Sequence, residues 1–176
     1  MQVGLLSDTH GFLDEAIFTY FEKCEEVWHA GDFGPDVLDR LKMFKPVRGV
    51  FGNIDGAEIR TELAKNLEWE CEGVRVYMTH IGGYPGHYDP RAKRELVGRK
   101  PNLFICGHSH IARVMRDPEL RLLHMNPGAC GRIGWHQQRT ILRFTVEGGK
   151  VGNVELIKLG PRATPRHPGG PAKGSD

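Results

Sequence analysis

The sequence lacks a long hydrophobic run. Its apolar stretches fall far short of the roughly 18 residues that a membrane-crossing helix requires, so no such helix is expected. The opening Met-Gln-Val-Gly-Leu-Leu has no basic segment, apolar run and small-residue cleavage site in succession, which leads us to expect a cytoplasmic protein without a secretion signal. Cysteine is scarce and scattered: Cys24, Cys71, Cys106 and Cys130 form no Cys-x-x-Cys pair, which argues against a zinc ribbon or a redox dithiol and for reduced, buried thiols. Charge of one sign is also missing. The net +2 is spread without a basic block, so neither nucleic acid nor a membrane surface is called for as a partner. No internal repeat is present.

What remains is an ordinary globular composition, 39% hydrophobic and 26% charged over 176 residues, enough chain to bury the core of one domain. We place that domain at residues 1–160. Residues 161–176 hold prolines and glycines without a large apolar side chain, and are expected to be a disordered tail.

Within the domain one pattern recurs: strand, polar loop with glycine, helix. Gln2–Leu6 reads as a buried strand that runs into Ser7-Asp8-Thr9-His10-Gly11, and Leu13–Cys24 has helical spacing. A second strand, Glu26–His29, empties into Ala30-Gly31-Asp32-Phe33-Gly34, and Pro35 can start a helix that Pro46 ends. A third, Val47–Phe51, leads to Gly52-Asn53-Ile54-Asp55-Gly56 and a helix over Ala57–Lys65. The text then changes to a hairpin, Leu67–Cys71 and Val74–Thr79 about Glu72-Gly73, ending at His80. An irregular loop, Ile81–Asp89, precedes a basic helix over Pro90–Val97 that Gly98 is placed to end. Asn102–Cys106 is a strand that empties into Gly107-His108-Ser109-His110. Alternating residues from Ala112 to Leu159 predict an antiparallel meander.

The strand-end groups are therefore Asp8, His10, Asp32, Asn53, His80, His108 and His110. In an α/β sheet such ends share an edge, where ligands collect. Seven oxygen and imidazole donors without a thiolate exceed the needs of one tetrahedral zinc and suit two cations about 3.5–4 Å apart. In order, Asp8-x-His10, Gly31-Asp32, Gly52-Asn53-x-Asp55, Thr79-His80 and Gly107-His108-x-His110 resemble the five motifs of the calcineurin-like metallophosphoesterases, in particular their small single-domain phosphodiesterase branch. Asn126-Pro127-Gly128 resembles a further turn of that branch.

The resemblance implies an α/β fold, a four-layer sandwich of two mixed β-sheets flanked by α-helices. It implies Asp8, His10 and His110 on one divalent metal, Asn53, His80 and His108 on the other, and Asp32 bridging both. Manganese stands first as the metal, with iron, zinc or nickel as alternatives. The implied activity is hydrolysis of a small organic or nucleotide phosphodiester by a hydroxide held between the two ions, whose water would have its pKa lowered from about 15.7 toward roughly 7. The expected partner is a small phosphoester, and a homo-oligomer stays open.

In one respect the chain departs from the wider family. Where many members carry a His between the Asn and the acidic residue, this sequence has Ile54, which can neither stabilise charge nor protonate a leaving group. Substrates with good leaving groups are then favoured, or a donor from elsewhere: His87, Tyr88 and Arg91 lie in the loop and helix after His80, with Asp55 as an orienting catalytic group. For substrate binding we single out Asn53, His87 and Arg91. The set Arg91, Lys93, Arg94, Arg99 and Lys100 reads either as a solvated helix face or as a source of positive potential. His29, His124 and His136 fall outside the motifs and are read as structural, with His29 the best placed to orient a ligand. Two other functions compete: a phosphomonoesterase, and a non-catalytic scaffold like the retromer subunit on this fold.

Overall fold

The structure, a computed structural model, describes residues 1–162. Of the segment expected as a tail, only Pro161 and Arg162 are among them. The elements in order are β1 (Gln2–Leu6), α1 (Ala16–Tyr20), β2 (Glu26–His29), α2 (Val37–Phe44), β3 (Val47–Gly49), α3 (Ala57–Glu62), β4 (Asn66–Cys71), β5 (Val74–Thr79), β6 (Gly83–Tyr84), β7 (His87–Tyr88), α4 (Pro90–Arg99), β8 (Leu103–Ile105), β9 (Ala112–Asp117), β10 (Leu122–Pro127), β11 (Gln138–Glu147) and β12 (Lys150–Pro161).

Two mixed five-stranded sheets form, ordered β12-β11-β1-β2-β3 and β4-β5-β8-β10-β9. Alternation along each strand decides what fills the space between them. Val3, Leu5, Trp28 and Phe144 from the first sheet meet Val76, Met78, Ile105 and Met125 from the second in one dry layer. The opposite face of the first sheet, with Leu6 and Val27, is covered by Ile17 of α1 and Leu38 and Leu41 of α2. The outer face of the second, with Tyr77 and Phe104, is covered by Ala92 and Leu96 of α4. The result is the four-layer α/β sandwich that the motifs implied.

Register then gathers the strand ends. Leu6 of β1 lies beside His29 of β2, and His29 beside Gly49 of β3, all parallel. In the second sheet Met78, Ile105 and Met125 are level across β5, β8 and β10. The polar loops after these strands consequently leave along one edge.

Four expectations need correction. Helix α1 covers only Ala16–Tyr20, because the chain closes a turn through Cys24 N–H to Phe21 C=O (2.9 Å) and passes straight into β2. Helix α4 runs through Gly98 to Arg99; its stop is Lys100, in the left-handed conformation (φ 52°) just before Pro101. The segment Ile81–Asp89 contains the small hairpin β6–β7. The expected meander is divided between the sheets: β9 and β10 stay in the second, while β11 returns to pair antiparallel with β1 in the first. Alternation reports which residues share a face, and is silent on which sheet receives the strand.

Candidate metal centre

The loops of this edge adopt backbone that side chains seldom tolerate. Asp8, His10, Asp32, His108 and His110 all have positive φ, between 48° and 66°. For residues other than glycine that conformation costs about 1 kcal/mol or more each, and it persists only where surrounding structure over-determines it. Here the loops tie one another down. Asp8 N–H donates to Gly31 C=O (3.0 Å), His10 N–H to Asp32 C=O (3.1 Å), Gly107 N–H to His80 C=O (3.0 Å) and Gly131 N–H to Asp8 C=O (3.1 Å). At several points the approach requires glycine, two of them beside the carboxylates. A Cβ at Gly52 would overlap Asp32 Oδ1, and one at Gly107 would overlap Ser7 Oγ and crowd Asp8 Oδ2.

Both carboxylates are buried, and each is held by one oxygen. Asp8 Oδ2 accepts from His108 N–H (3.1 Å) and Asp32 Oδ1 from Ile54 N–H (3.0 Å). The other oxygens face the imidazoles. Asp8 Oδ1 lies 3.1 Å from His110 Nε2 and 3.9 Å from His10 Nε2. Asp32 Oδ2 lies 3.2 Å from His80 Nε2 and 3.9 Å from His10 Nε2. Burial pushes both carboxyls up, yet His110 and His80 beside Asp8, and His80 beside Asp32, more than offset this and hold both below the usual carboxylate range.

The imidazoles divide by environment. Burial lowers His10 and His108 below the ordinary histidine value, outweighing the carboxylates. Burial also acts against charge on His80, but Asp32 and Asp8 outweigh it and its pKa is raised. His80 Nδ1 is 2.7 Å from Ala30 C=O, an oxygen that can only accept, so Nδ1 carries a proton and Nε2 is the atom aimed inward, 3.1 Å from Asn53 Oδ1. His10 and His110 approach to 3.4 Å between their Nε2 atoms. Thus Asp8, His10, Asp32, Asn53, His80 and His110 converge directly. His108 stands at the rim with its ring exposed and edge-on to His80, 5.2 Å between centroids.

The remaining candidates disperse. Asp55, expected as an orienting group, is fully engaged with backbone: its carboxylate is taken up by the N–H groups of Asp32 (3.0 Å), Gly34 (3.1 Å) and Gly52 (2.7 Å). It clamps two ligand loops together. Tyr88 donates its hydroxyl proton to Asp117 (2.7 Å), and burial with that carboxylate raises its pKa, so it is unsuited to protonate a leaving group. His87 is exposed on the β6–β7 hairpin, its ring beside Tyr84, and is absent from the cavity next to the centre. Arg91 lines that cavity with Asn53 and His80. Ile54 is half exposed (49%) and contributes its backbone N–H alone to Asp32.

Three supporting residues lie behind the ligands: His29, expected as the histidine best placed to orient a ligand, and His136 and Thr9, which had no such signal in the sequence. His136 Nε2 is 3.0 Å from Gly131 C=O, so Nε2 bears the proton and Nδ1 accepts; His110 Nδ1, 3.2 Å away, must then donate, leaving His110 Nε2 as a lone pair turned inward. Thr9 and His29 form a similar brace. His29 Nδ1 accepts from Gly31 N–H (3.1 Å), its Nε2 meets Thr9 Oγ1 (3.0 Å), and burial drives its pKa down to about 3, so it stays neutral.

These residues fit divalent metal. Asp8 Oδ1 is buried and receives no hydrogen bond, a costly state for a carboxylate oxygen unless a cation is its partner. Two overlapping groups, Asp8-His10-His110 and Asp8-Asp32-His80, each bring their ligand atoms within 4.8 Å of one another. The donors are oxygen and imidazole nitrogen, which suit manganese, iron or zinc alike. The four thiols are buried and belong to no such group among the described residues.

Comparison with known proteins agrees with this geometry. Residues 1–149 match the family model of the calcineurin-like phosphoesterase superfamily domain. A curated probable metallophosphoesterase of Methanothermobacter thermautotrophicus is 28% identical over 166 residues, covering 91% of this chain and 94% of that protein. A solved structure described as a novel archaeal phosphodiesterase superposes with TM-score 0.72 at 23% identity, covering 90% of this chain and all of the other. Vps29 of Entamoeba histolytica, solved with zinc, superposes with TM-score 0.70 at 14% identity over 93% of this chain and 100% of its own.

Proposed function

The chain belongs to the calcineurin-like phosphoesterase superfamily, and from that premise we propose that it is a dinuclear-metal phosphodiesterase acting on a small organic or nucleotide phosphodiester. The observation that carries this reading is Asp8 Oδ1, buried without a hydrogen bond at the junction of the two Asp/His groups and faced by imidazole nitrogens, His110 Nε2 at 3.1 Å first among them. Asp8, His10, Asp32 and His110 would hold one cation; Asp32, Asn53, His80 and His108 the other, with the His108 ring turning in from the rim. Two divalent cations bound there, manganese first, would supply a nucleophilic hydroxide at neutral pH and offset charge on the phosphoryl oxygens.

The chain's own groups do the positioning. His136 and Ala30 C=O set the tautomers of His110 and His80, so both present a lone pair inward. Ile54 N–H and His108 N–H orient the two carboxylates. The Asn53 amide can supply its oxygen as a ligand and a donated hydrogen bond to a phosphoryl oxygen. With an alkyl side chain at position 54 and the Tyr88 proton committed to Asp117, leaving groups that depart without a proton are favoured. The test is turnover of bis(4-nitrophenyl) phosphate by manganese-loaded protein against its Asp32→Asn and His108→Ala variants. Loss of activity by at least about 10²-fold is expected where charge stabilisation at the phosphoryl group fails, with 4-nitrophenyl phosphate the poorer substrate. Equal turnover by the variants defeats the proposal.

A second reading, a non-catalytic scaffold, is favoured by the similarity to Vps29 and by Ile54. It predicts a stoichiometric partner on purification and no hydrolysis with any divalent metal.

A further inference from the structure

Beside Asn53 and His80 opens a cavity of about 490 Å³, within the size range of ligand pockets. One wall is the Asn53 loop with α3, the other is α4, and Asn66, Tyr77 and Thr79 of β4 and β5 lie between them. Its lining carries four cations, Arg60, Lys65, Arg91 and Arg94, against two anions, Asp89 and Glu95.

Both anions are engaged. Asp89 Oδ1 accepts the N–H groups of Arg91 (2.9 Å) and Ala92 (3.2 Å), and Glu95 pairs with Arg99 (2.7 Å). Arg60 is engaged as well, donating to Asp55 C=O (2.6 Å) and Gly52 C=O (3.2 Å) and lying 4.4 Å over the Phe51 ring. Lys65, Arg91 and Arg94 have no ion-pair or side-chain hydrogen-bond partner among the described residues. Elsewhere the basic side chains divide: Arg40 pairs with Glu15, Arg48 with Glu26, Arg99 with Glu68 and Glu95, and Arg143 with Glu155, while Lys23, Arg116, Arg121, Lys150 and Lys158 have no ion pair among the described residues; what sets Lys65, Arg91 and Arg94 apart is that they line one cavity beside the candidate metal centre. Of the five cations seen around α4 in the sequence, Arg91 and Arg94 face this cavity, while Arg99 is paired and Lys93 lies 4.0 Å from Glu119.

We infer that this cavity is a second anion site, contiguous with the metal centre, and that the substrate is a phosphodiester whose far arm ends in a phosphate bound by Lys65, Arg91 and Arg94. The inference rests on the phosphodiesterase reading. Three unpaired cations exceed what one carboxylate neutralises, whereas a terminal phosphate brings a charge of about −1.5 to −2 at pH 7 and three acceptor oxygens for guanidinium and ammonium donors. The cavity's volume leaves room for the arm that joins the two phosphates.

The test uses a matched pair, 4-nitrophenyl 2-(phosphooxy)ethyl phosphate and 4-nitrophenyl 2-methoxyethyl phosphate, which share leaving group and diester and have no free hydroxyl to attack the diester from within. In calorimetric titration of chelator-treated protein, where no turnover interferes, the phosphate-ended compound should bind at least about tenfold tighter at low salt, and Lys65→Gln/Arg94→Gln should abolish that difference. Equal binding of the two compounds, or a difference that the double variant retains, overturns the inference. Turnover of the manganese-loaded protein is read separately. A binding difference in the wild type that the double variant abolishes, with neither compound hydrolysed, would sink the phosphodiesterase reading and leave the anion site standing; hydrolysis of both with equal KM would do the reverse.

Discussion

The two flanks of the metal centre use the same kinds of residue to opposite ends. The Asn53–His80 flank opens on a cavity with three unpaired cations. The His10–His110 flank lies under the segment from Gly131 to Gln138, where His136 is bonded to His110 and a Cβ at Gly134 would overlap the His110 ring, while Trp135 on the same segment is fully exposed. One side is shaped to admit an anion and the other to fix an imidazole. The difference teaches that ligand identity alone does not make the halves equivalent: what braces each ligand from behind decides its task.

The substitution expected to do most damage is one that erases the comparison, at the residue both halves share. Gly52→Ala should drive a methyl group into Asp32, whose backbone N and carboxylate offer nothing flexible to move. We expect a loss of about 1–3 kcal/mol in unfolding free energy together with metal bound at neither flank, measured by urea denaturation and elemental analysis; full metal content in a folded variant would show that the loops are less tightly coupled than described. A narrower change should weaken one flank. His136→Ala releases the His110 tautomer, and metal affinity should fall about 10- to 100-fold in equilibrium dialysis with the fold intact and the anion cavity still binding the phosphate-ended compound. His136→Gln, which keeps an acceptor, should recover part of the loss. Unchanged metal affinity in His136→Ala would remove that residue from the centre.

The smallest effect should touch neither flank. His124 is buried against Phe104 with both ring nitrogens unbonded, and burial lowers its pKa to about 4. Folded protein therefore refuses a proton that the unfolded chain takes up near 6.5, so this histidine makes stability fall as pH drops from 6.5 toward about 4. His124→Phe should flatten that slope, gaining about 1–2 kcal/mol over the wild type at pH 5 and little at pH 7.5. A variant that followed the wild-type pH profile would show that His124 is charged in the folded state.

The layered fold and the meeting of the strand-end groups were legible because both follow from local patterns: apolar runs that stop abruptly, each followed by glycine and a metal-capable side chain. Gly31-Asp32 and Gly107-His108 announce a sharp turn at the end of a strand, and parallel register does the rest. What was illegible is whatever depends on another loop. Asp55 reads as a functional carboxylate in Gly-Asn-x-Asp, yet its oxygens serve amides at Asp32 and Gly34, a partnership that no spacing reveals. His136 stands in an irregular segment with no periodicity, and only tertiary placement brings it to His110. The cavity cations were visible as charges, but their being unpaired is a property of neighbours such as Glu68 and Glu119 that arrive from other elements.

The left-handed backbone at Asp8, His10, Asp32, His108 and His110 has a bearing on the history of such a chain. At His10, His108 and His110 glycine would relax the main chain, by roughly 1 kcal/mol, at the expense of the side chain; at Asp8 and Asp32 it would also leave the His108 and Ile54 N–H groups without their acceptors. A lineage with no further use for the centre would therefore find drift toward glycine downhill at those three histidines. This chain carries the strained residue at every one.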